Sequence, residues 1–265
     1  MSKLKSLTVP EFVGRKGGEP IVVITAADYT MARLMDGTGA VDCLLVGDSL
    51  GTVVQGRPTT LSVTLDQMIY HTEMVVRGAQ QALVVADMPF GSYQESIEQA
   101  IRNAARMMQA TGCTAVKLEG GRHFASTVKA LVDCGIPVMG HVGLMPQSVH
   151  TMGGYRVQRN EQKILDDALS IAGAGAFGVV LECLPTELGQ RVTEAIQVPT
   201  IGIGAGVHCD GQVLVGHDLL GLFDGHRPKF VRPYANLKDV VQESIKRYSA
   251  DVRARAFPSS EESFR

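Results

Sequence analysis

Two features that would point to large classes of partner are missing from this sequence. Its 265 residues carry 25 basic and 27 acidic side chains, a net charge of −2, and so no basic field that would attract nucleic acid. No uninterrupted stretch of about 18 apolar residues could span a bilayer, and residues 1–12 lack the apolar core of a signal peptide. We therefore expect a cytoplasmic protein whose partners are small molecules.

The five cysteines also lack any disulfide or metal-binding pattern. They are odd in number, widely spaced and free of Cys-x-x-Cys pairs, so neither a disulfide framework nor a zinc site is expected. Cys43, Cys134 and Cys183 have apolar neighbours in the sequence. We predict that these three are small buried hydrophobes.

What the sequence does contain is an alternation of short apolar runs and helical patterns. About eight apolar runs of strand length alternate with segments of helical periodicity, which is typical of a parallel α/β fold. Eight such units in 265 residues favour a closed (β/α)8 TIM barrel over an open sheet. We predict a single barrel domain over residues 1–265, with a short N-terminal lead and a mobile or contact-making tail from about residue 257. The eighth strand is predicted near residues 219–222.

The predicted strands end in a repeated pattern, in which an apolar run is followed by a charged residue or histidine and then by glycine or proline. The run Cys43–Val46 is followed by Asp48, and Gly47 and Gly51 are expected to leave room beside this acid. All strands of a barrel point the same way, so their carboxyl ends converge on one mouth. The residues expected at this mouth are Asp48, Asp87, Lys117, Glu119, His141 and Glu182.

The charge balance of this set predicts a metal ion. Four carboxylates face one lysine, and crowded carboxylates repel one another unless protons or a cation intervene. Oxygen ligands without a cysteine or histidine cluster suit a hard cation, Mg²⁺ before Mn²⁺ or Ca²⁺, and Mg²⁺ usually takes only one or two carboxylates. Asp48 and Asp87, short side chains at strand ends, are therefore the candidate ligands.

Eight short blocks follow one another along most of the chain. They are Val46–Gly51, Asp87–Phe90, Val116–Gly121, Gly140–Leu144, Pro146–Val149, Gly153–Tyr155, Leu181–Cys183 and Ile201–Gly206. In this order they resemble the ketopantoate hydroxymethyltransferases, also called 3-methyl-2-oxobutanoate hydroxymethyltransferases. Any one block is common, whereas the ordered series is specific to this family.

The resemblance implies an enzyme of pantothenate synthesis that depends on Mg²⁺ and assembles as a decamer. Members of the family move a one-carbon unit from 5,10-methylenetetrahydrofolate to 3-methyl-2-oxobutanoate, which gives 2-dehydropantoate. Asp48 and Asp87 match the metal-binding aspartates of the family. Glu119 matches an acid that belongs to the metal site through water.

The resemblance also assigns residues to the substrate. Ser49, Lys117 and His141, beside the two aspartates, match the groups that hold the keto acid. Glu182 matches the base that removes a proton from the carbon next to the ketone, so that an enolate forms and attacks the methylene carbon from folate. Ala27 departs from the family, whose members often carry tyrosine there, and this puts one polar contact near the substrate in doubt.

Two other interpretations remain open. A lyase or mutase from the wider group of metal-dependent barrels that act on 2-oxo acids would use the same metal and need no folate. A non-catalytic barrel could instead bind phosphate or a nucleotide through Gly202, Gly204 and Gly206. These glycines do not form the dinucleotide fingerprint, and close packing is the simpler explanation of them.

Overall fold

Eight parallel strands close into a barrel in the computed structural model, which describes residues 6–225 and 227–264. Neighbouring strands pair in chain order, and the last strand pairs with the first, so the predicted (β/α)8 TIM barrel is confirmed. The strands are β1 Ile21–Thr25, β2 Cys43–Val46, β3 Leu83–Asp87, β4 Ala115–Glu119, β5 Val138–Gly143, β6 Gly178–Glu182, β7 Thr200–Ile203 and β8 Gly211–Leu214.

Helices precede the first strand, lie in the connections between strands and follow the last strand. Those in the connections pack on one another and on the strands. The helices are α1 Val9–Val13, α2 Tyr29–Asp36, α3 Leu50–Val53, α4 Leu65–Gly78, α5 Ile97–Thr111, α6 Ala125–Asp133, α7 Glu161–Gly173, α8 Thr186–Ala195, α9 Gly216–Leu219 and α10 Leu237–Arg253.

Side-chain caps fix the start of several helices. At α4, the backbone N–H of Gln67 donates to Thr64 Oγ1 at 3.3 Å, and the backbone N–H of Thr64 donates to Gln67 Oε1 at 3.0 Å. This is the capping box that the pattern Thr64-x-x-Gln67 predicts. The pattern Ser92-x-x-Glu95 predicts another capping box, and this prediction is wrong. Ser96 caps α5 instead, because the helix begins one turn later.

Two strands differ from their predicted positions. The eighth strand is Gly211–Leu214, so its predicted position at residues 219–222 is wrong. A Cβ on Gly211 would lie 2.5 Å from the Ile21 carbonyl oxygen, so glycine is what allows β8 to approach β1 and close the barrel. The apolar run predicts the fifth strand over residues 136–140 with His141 directly after it. The observed strand continues to Gly143, which places His141 inside the strand.

The lower part of the barrel is filled by apolar side chains from alternate strand positions. Cys43 and Leu45 of β2 belong to this buried cluster, together with Phe12 of α1. The Phe12 ring packs edge-to-face on Phe177 with centroids 5.4 Å apart, so α1 closes the amino end of the barrel. Burying each large side chain of this kind stabilises the fold by roughly 1.5–3 kcal/mol. Cys43 is buried as predicted, whereas Cys134 is exposed and that prediction is wrong.

The described residues divide into two compact units after Val215. The first contains all eight strands. The second contains α9 and α10, and α10 has no buried residue, with apolar side chains such as Ile245 and Tyr248 exposed. Within this unit the Phe257 ring packs edge-to-face on Tyr248 at 5.5 Å. Among the described residues, no helix is both long and apolar enough to cross a membrane.

Candidate active site at the mouth of the barrel

Charged side chains continue the inward-facing rows of several strands where those strands end. On β4, Ala115 lies in the apolar core, and Lys117 and Glu119 follow on the same side because strand side chains alternate with a period of two. The strand register sets Lys117 opposite Asp87 and Glu119 opposite His141. The inward rows of the three neighbouring strands likewise end in Asp87, His141 and Glu182.

Asp48 and Asp87 are in direct contact. The Asp48 backbone N–H, in the turn after β2, donates to Asp87 Oδ2 at 3.0 Å. The other oxygen, Asp87 Oδ1, forms an ion pair with Lys117 Nζ at 3.0 Å, and both side chains are buried. No described residue gives that oxygen a hydrogen bond of acceptable geometry, so it retains unused capacity as an acceptor.

The electrostatics of the mouth are dominated by burial and by like charges. Burial and the neighbouring Asp87 raise the pKa of Asp48 to about 7. Burial and Asp48 raise the pKa of Glu119 well above its usual value. Burial alone would lower the pKa of Lys117, but Asp87, Glu119 and Asp48 outweigh it and raise that pKa, so the lysine is charged at neutral pH. The site thus holds the positive charge of Lys117 beside two carboxyl groups, Asp48 and Glu119, whose raised pKa disfavours ionisation.

His141 has a defined tautomer. Its Nε2 lies 2.8 Å from the Leu144 carbonyl oxygen, which can only accept, so Nε2 carries a proton. Its Nδ1 lies 3.2 Å from the ammonium group of Lys117, which can only donate, so Nδ1 is unprotonated. The ring is therefore neutral. Glu182 Oε2 lies 3.3 Å from the same Nε2, which connects β6 to the network.

Two residues without a predicted role complete this network. Gln147 donates from its side chain to Asp48 and from its backbone to Glu119. Tyr93 is buried, and its hydroxyl contacts both Gln147 and the backbone of Glu119. All six side chains predicted at the mouth are thereby connected. Gln147 lies in the block Pro146–Val149, which could have drawn attention to it, whereas a tyrosine in a loop has no distinctive pattern.

Ser49 lies beside Asp48 in the turn that opens α3. Ser49 is half-buried. A Cβ added to Gly47 would lie 2.9 Å from the Ser49 hydroxyl oxygen, which is too close, so any residue other than glycine at position 47 would displace Ser49. Gly47 therefore leaves room at the site, as expected. Gly51 has a different role: a Cβ there would meet Val63 Cγ2 at 2.7 Å, so this glycine allows close packing of α3 and leaves no room for a ligand.

A strained residue follows Glu182 directly. Cys183 has a φ of 52°, a left-handed conformation that is costly for any residue with a Cβ. Its N–H donates to the Ile203 carbonyl oxygen at 2.9 Å, and its own carbonyl accepts from the Gln158 N–H at 2.8 Å. Burial and the neighbouring Glu182 raise the pKa of its thiol to about 12, which excludes a thiolate nucleophile at neutral pH.

The donor set fits a hard divalent cation. Its oxygens come from buried carboxylates that repel one another, and one Asp87 oxygen has spare capacity as an acceptor. Across residues 6–225 and 227–264, no three Asp, Glu, His or Cys side chains converge into a complete cage. This arrangement suits a cation that takes one or two carboxylates and fills its other positions with water and substrate.

The sequence of residues 6–260 matches one protein family, which is described as ketopantoate hydroxymethyltransferase. Two relatives, both named 3-methyl-2-oxobutanoate hydroxymethyltransferase, come from Cereibacter sphaeroides and Paracoccus denitrificans. The first is 54% identical over 99% of this chain and 95% of its own length. The second is 58% identical over 94% of this chain and 91% of its own length.

Solved structures with the same fold are much less similar in sequence. A phosphonopyruvate hydrolase in complex with oxalate and Mg²⁺ matches with a TM-score of 0.63 and 10% identity, covering 97% of this chain and 93% of the other. A 2,3-dimethylmalate lyase of the PEP mutase/isocitrate lyase superfamily matches with a TM-score of 0.61 and 15% identity, covering 97% and 92%. At these identities the likeness shows the fold alone.

Proposed function

The chain belongs to the ketopantoate hydroxymethyltransferase family, and we propose that it transfers a hydroxymethyl group from 5,10-methylenetetrahydrofolate to 3-methyl-2-oxobutanoate. The product is 2-dehydropantoate, an intermediate of pantothenate biosynthesis. One observation carries the proposal: relatives more than 50% identical over nearly the whole chain are named for this reaction. The buried carboxylates and lysine at the barrel mouth are consistent with its chemistry.

Mg²⁺ is the proposed cofactor, held by Asp48 and Asp87 directly and by Glu119 through water. The preference for Mg²⁺ rests on ligands that are all oxygens and on a site in which, among the described residues, no three carboxylate, histidine or cysteine side chains converge. When bound, the ion would supply positive charge to the keto oxygen and the carboxylate of the substrate. It would also relieve the repulsion that raises the pKa of Asp48.

Lys117 is the proposed electrostatic partner of the keto oxygen. Its ammonium is buried, charged and fixed between Asp87 and His141, so it is already oriented before negative charge gathers on the substrate. Ser49 is the proposed neutral donor that orients the keto acid, and His141, whose Nε2–H is held by the Leu144 carbonyl oxygen, is the proposed neutral contact beside it. A preorganised site of this kind favours the enolate over the ketone.

Glu182 is the proposed general base. Its carboxylate ends β6 beside His141 and is largely buried, with a side-chain exposure of 14%. It would take the proton from C3 of 3-methyl-2-oxobutanoate, and the electron pair of that C–H bond would become the enolate. Water supplies the hydroxyl group of the product: it adds to the methylene carbon of the folate, both C–N bonds of that carbon break, and the two nitrogens take the two protons of the water. C3 of the enolate then forms its bond to the carbonyl carbon so released, and the resulting alkoxide takes the proton that Glu182 holds.

The alternative reaction classes can be separated by one assay. Purified protein is mixed with 3-methyl-2-oxobutanoate, 5,10-methylenetetrahydrofolate and Mg²⁺, and each component is omitted in turn. The proposal requires 2-dehydropantoate only when all three are present. Turnover of a 2-oxo acid without folate would instead indicate a lyase or mutase. A nucleotide-binding role gains nothing from Gly206, because a Cβ at this position would lie 2.6 Å from Thr186 Cγ2 and packing alone explains the glycine.

Assembly and location are also proposed from the family. A homo-oligomer, with the decamer of the family as the specific expectation, would be seen by sedimentation as a single species much larger than the 28.4 kDa chain. A cytoplasmic location fits a biosynthetic enzyme that uses reduced folate.

A further inference from the structure

We infer that Gln147 is a positioning residue that holds Asp48 and Glu119 together in one rigid arrangement. The inference rests on the proposed function, because it explains how the acids of the proposed metal site keep their places. Asp48 follows β2 and Glu119 ends β4, and these strands are separated by β3. β2 and β4 each pair with β3 and not with each other, so no direct strand pairing joins the two acids.

Gln147 bridges this gap with two different groups. It lies in the 3₁₀ turn Pro146–Ser148 after β5 and is 5% exposed. Its side-chain Nε2 donates to Asp48 Oδ2 at 3.0 Å, and its backbone N–H donates to Glu119 Oε2 at 2.9 Å. One residue thus supplies a hydrogen bond to each of two acids that come from strands that do not pair with each other.

The orientation of the Gln147 amide is set by its surroundings. Besides Asp48, Nε2 donates to the Met88 carbonyl oxygen at 3.0 Å, and a carbonyl oxygen can only accept. On the other side, Oε1 accepts from the Tyr93 hydroxyl at 2.7 Å and from Gln94 Nε2 at 3.3 Å. A flipped amide would place its oxygen against a carboxylate and a carbonyl, so only one orientation satisfies every group.

Tyr93 supports this arrangement from behind. Its hydroxyl accepts from the Glu119 N–H at 3.2 Å while contacting Gln147 Oε1, and its side chain is 2% exposed. Its ring packs on Phe124 with centroids 5.4 Å apart. Tyr93 therefore fixes Gln147 and the end of β4 together, and this limits the rotation of both acids.

The bridge has a chemical purpose that packing alone does not need. Two carboxylates that share a buried site repel each other, and N–H donors directed at them offset that repulsion. Directed N–H groups leave the remaining carboxylate oxygens available to a cation and its water. Outer partners of this kind typically change metal affinity or activity by roughly 10- to 100-fold when they are lost.

The test is Mg²⁺ titration calorimetry on the full chain in the presence of 3-methyl-2-oxobutanoate, with kcat and KM measured alongside. Gln147→Met keeps the volume of the side chain but removes its donor and acceptor. We expect Mg²⁺ affinity to fall roughly 10- to 100-fold and much of the lost rate to return at high Mg²⁺ concentration. Tyr93→Phe should shift Mg²⁺ affinity in the same direction by less. Ser148→Ala, in the same turn, is the matched control and should bind as wild type does.

Each result decides the inference. A folded Gln147→Met variant whose Mg²⁺ affinity stays within about twofold of wild type overturns it, since the loss predicted is at least about tenfold. If that variant does not fold, unchanged affinity in Tyr93→Phe overturns it instead, and weakened affinity supports it. Wild-type protein that binds no Mg²⁺ contradicts the proposed metal site itself, and the inference falls with it.

Discussion

Lys117 directs its ammonium group at Nδ1 of His141, 3.2 Å away, and so keeps the only ring proton on Nε2. The same ammonium is paired with Asp87 at 3.0 Å. The buried charge of Lys117 therefore has two roles: it balances the carboxylates, and it determines which nitrogen of the His141 ring carries the proton. This relationship joins the proposed metal side of the mouth to the proposed base, because Glu182 lies beside Nε2.

Lys117→Met tests this double role. At saturating Mg²⁺ we expect kcat to fall roughly 10²- to 10³-fold, the loss that follows removal of one preorganised donor at a developing negative charge. Lys129→Met is the control, since Lys129 is an exposed lysine paired with Asp133 on α6. Steady-state kinetics on both variants make the comparison. A Lys117→Met enzyme within about threefold of the control would remove the lysine from the mechanism, because the expected loss is far larger.

Asp48→Ala and Asp87→Ala test the proposed metal ligands. Each should weaken Mg²⁺ binding by at least roughly tenfold, because loss of even an outer partner commonly has that effect. Calorimetry at fixed pH gives the affinity, and Asp66→Ala, which changes an exposed aspartate on α4 paired with Arg106, controls for general loss of negative charge. Affinities equal to that of the control would reassign the ion to other residues.

Asp210 makes the stability of the barrel sensitive to acid. At the amino end of β8 its carboxylate accepts hydrogen bonds from Lys16 Nζ at 2.8 Å and from the backbone N–H groups of Gly17 and Thr200 at 2.9 and 2.8 Å. Burial alone would raise the pKa of Asp210, but these donors outweigh it and lower that pKa below its ordinary value of 3.8. The stabilisation is therefore complete above that value and is lost as pH falls through the folded-state pKa.

Asp210→Asn should remove this component of acid sensitivity. At pH 7 we expect the free energy of unfolding to drop by roughly 1.5–3 kcal/mol, the usual value of a hydrogen bond to a charged group. Urea unfolding at pH 7 and at about pH 3 measures both effects, because the difference between wild type and variant should shrink in acid. A constant difference at the two pH values would show that the carboxylate charge is not what stabilises this end of the barrel.

Cys183 tests backbone strain next to the proposed base. Because its φ of 52° disfavours any Cβ and most of all a branched one, Cys183→Val should lower the free energy of unfolding by about 2 kcal/mol. Cys183→Gly should leave that free energy unchanged or raise it by less than about 1 kcal/mol, since relief of strain is offset by greater freedom of the unfolded chain. Denaturant unfolding compares them, and equal losses in the two variants would show that the lost thiol, not the conformation, is responsible.

The rows of charged residues could be predicted because two simple rules determine them, the period of two along a strand and the common direction of parallel strands. Side chains two apart on a strand share a face, and all strand ends of a parallel barrel meet at one mouth. For example, Lys117 and Glu119 could be assigned to one side from their spacing alone. The contact of Lys117 with Asp87 then follows from strand register, which sets the two residues opposite each other.

Other features depend on tertiary contacts that leave little trace in the sequence. The eighth strand has only four residues, one of them an outward-facing glutamine, so it forms no apolar run that could be recognised in the sequence. Its position depends instead on the close approach of Gly211 to β1. The bridging role of Gln147 depends on the path of a loop that brings it to residues 28 and 99 positions away. A glutamine has the same appearance in a sequence whether it faces solvent or two carboxylates.

The most direct test of the account follows the proton that Glu182 is proposed to remove. 3-Methyl-2-oxobutanoate is incubated in D₂O with Mg²⁺ and enzyme, without folate, and deuterium at C3 is followed by proton NMR. Wild type should catalyse exchange, whereas Glu182→Gln should still bind Mg²⁺ and the keto acid, as measured by calorimetry, but show no exchange above the rate without enzyme. Exchange by Glu182→Gln at the wild-type rate would contradict the assignment of the base and with it the proposed mechanism.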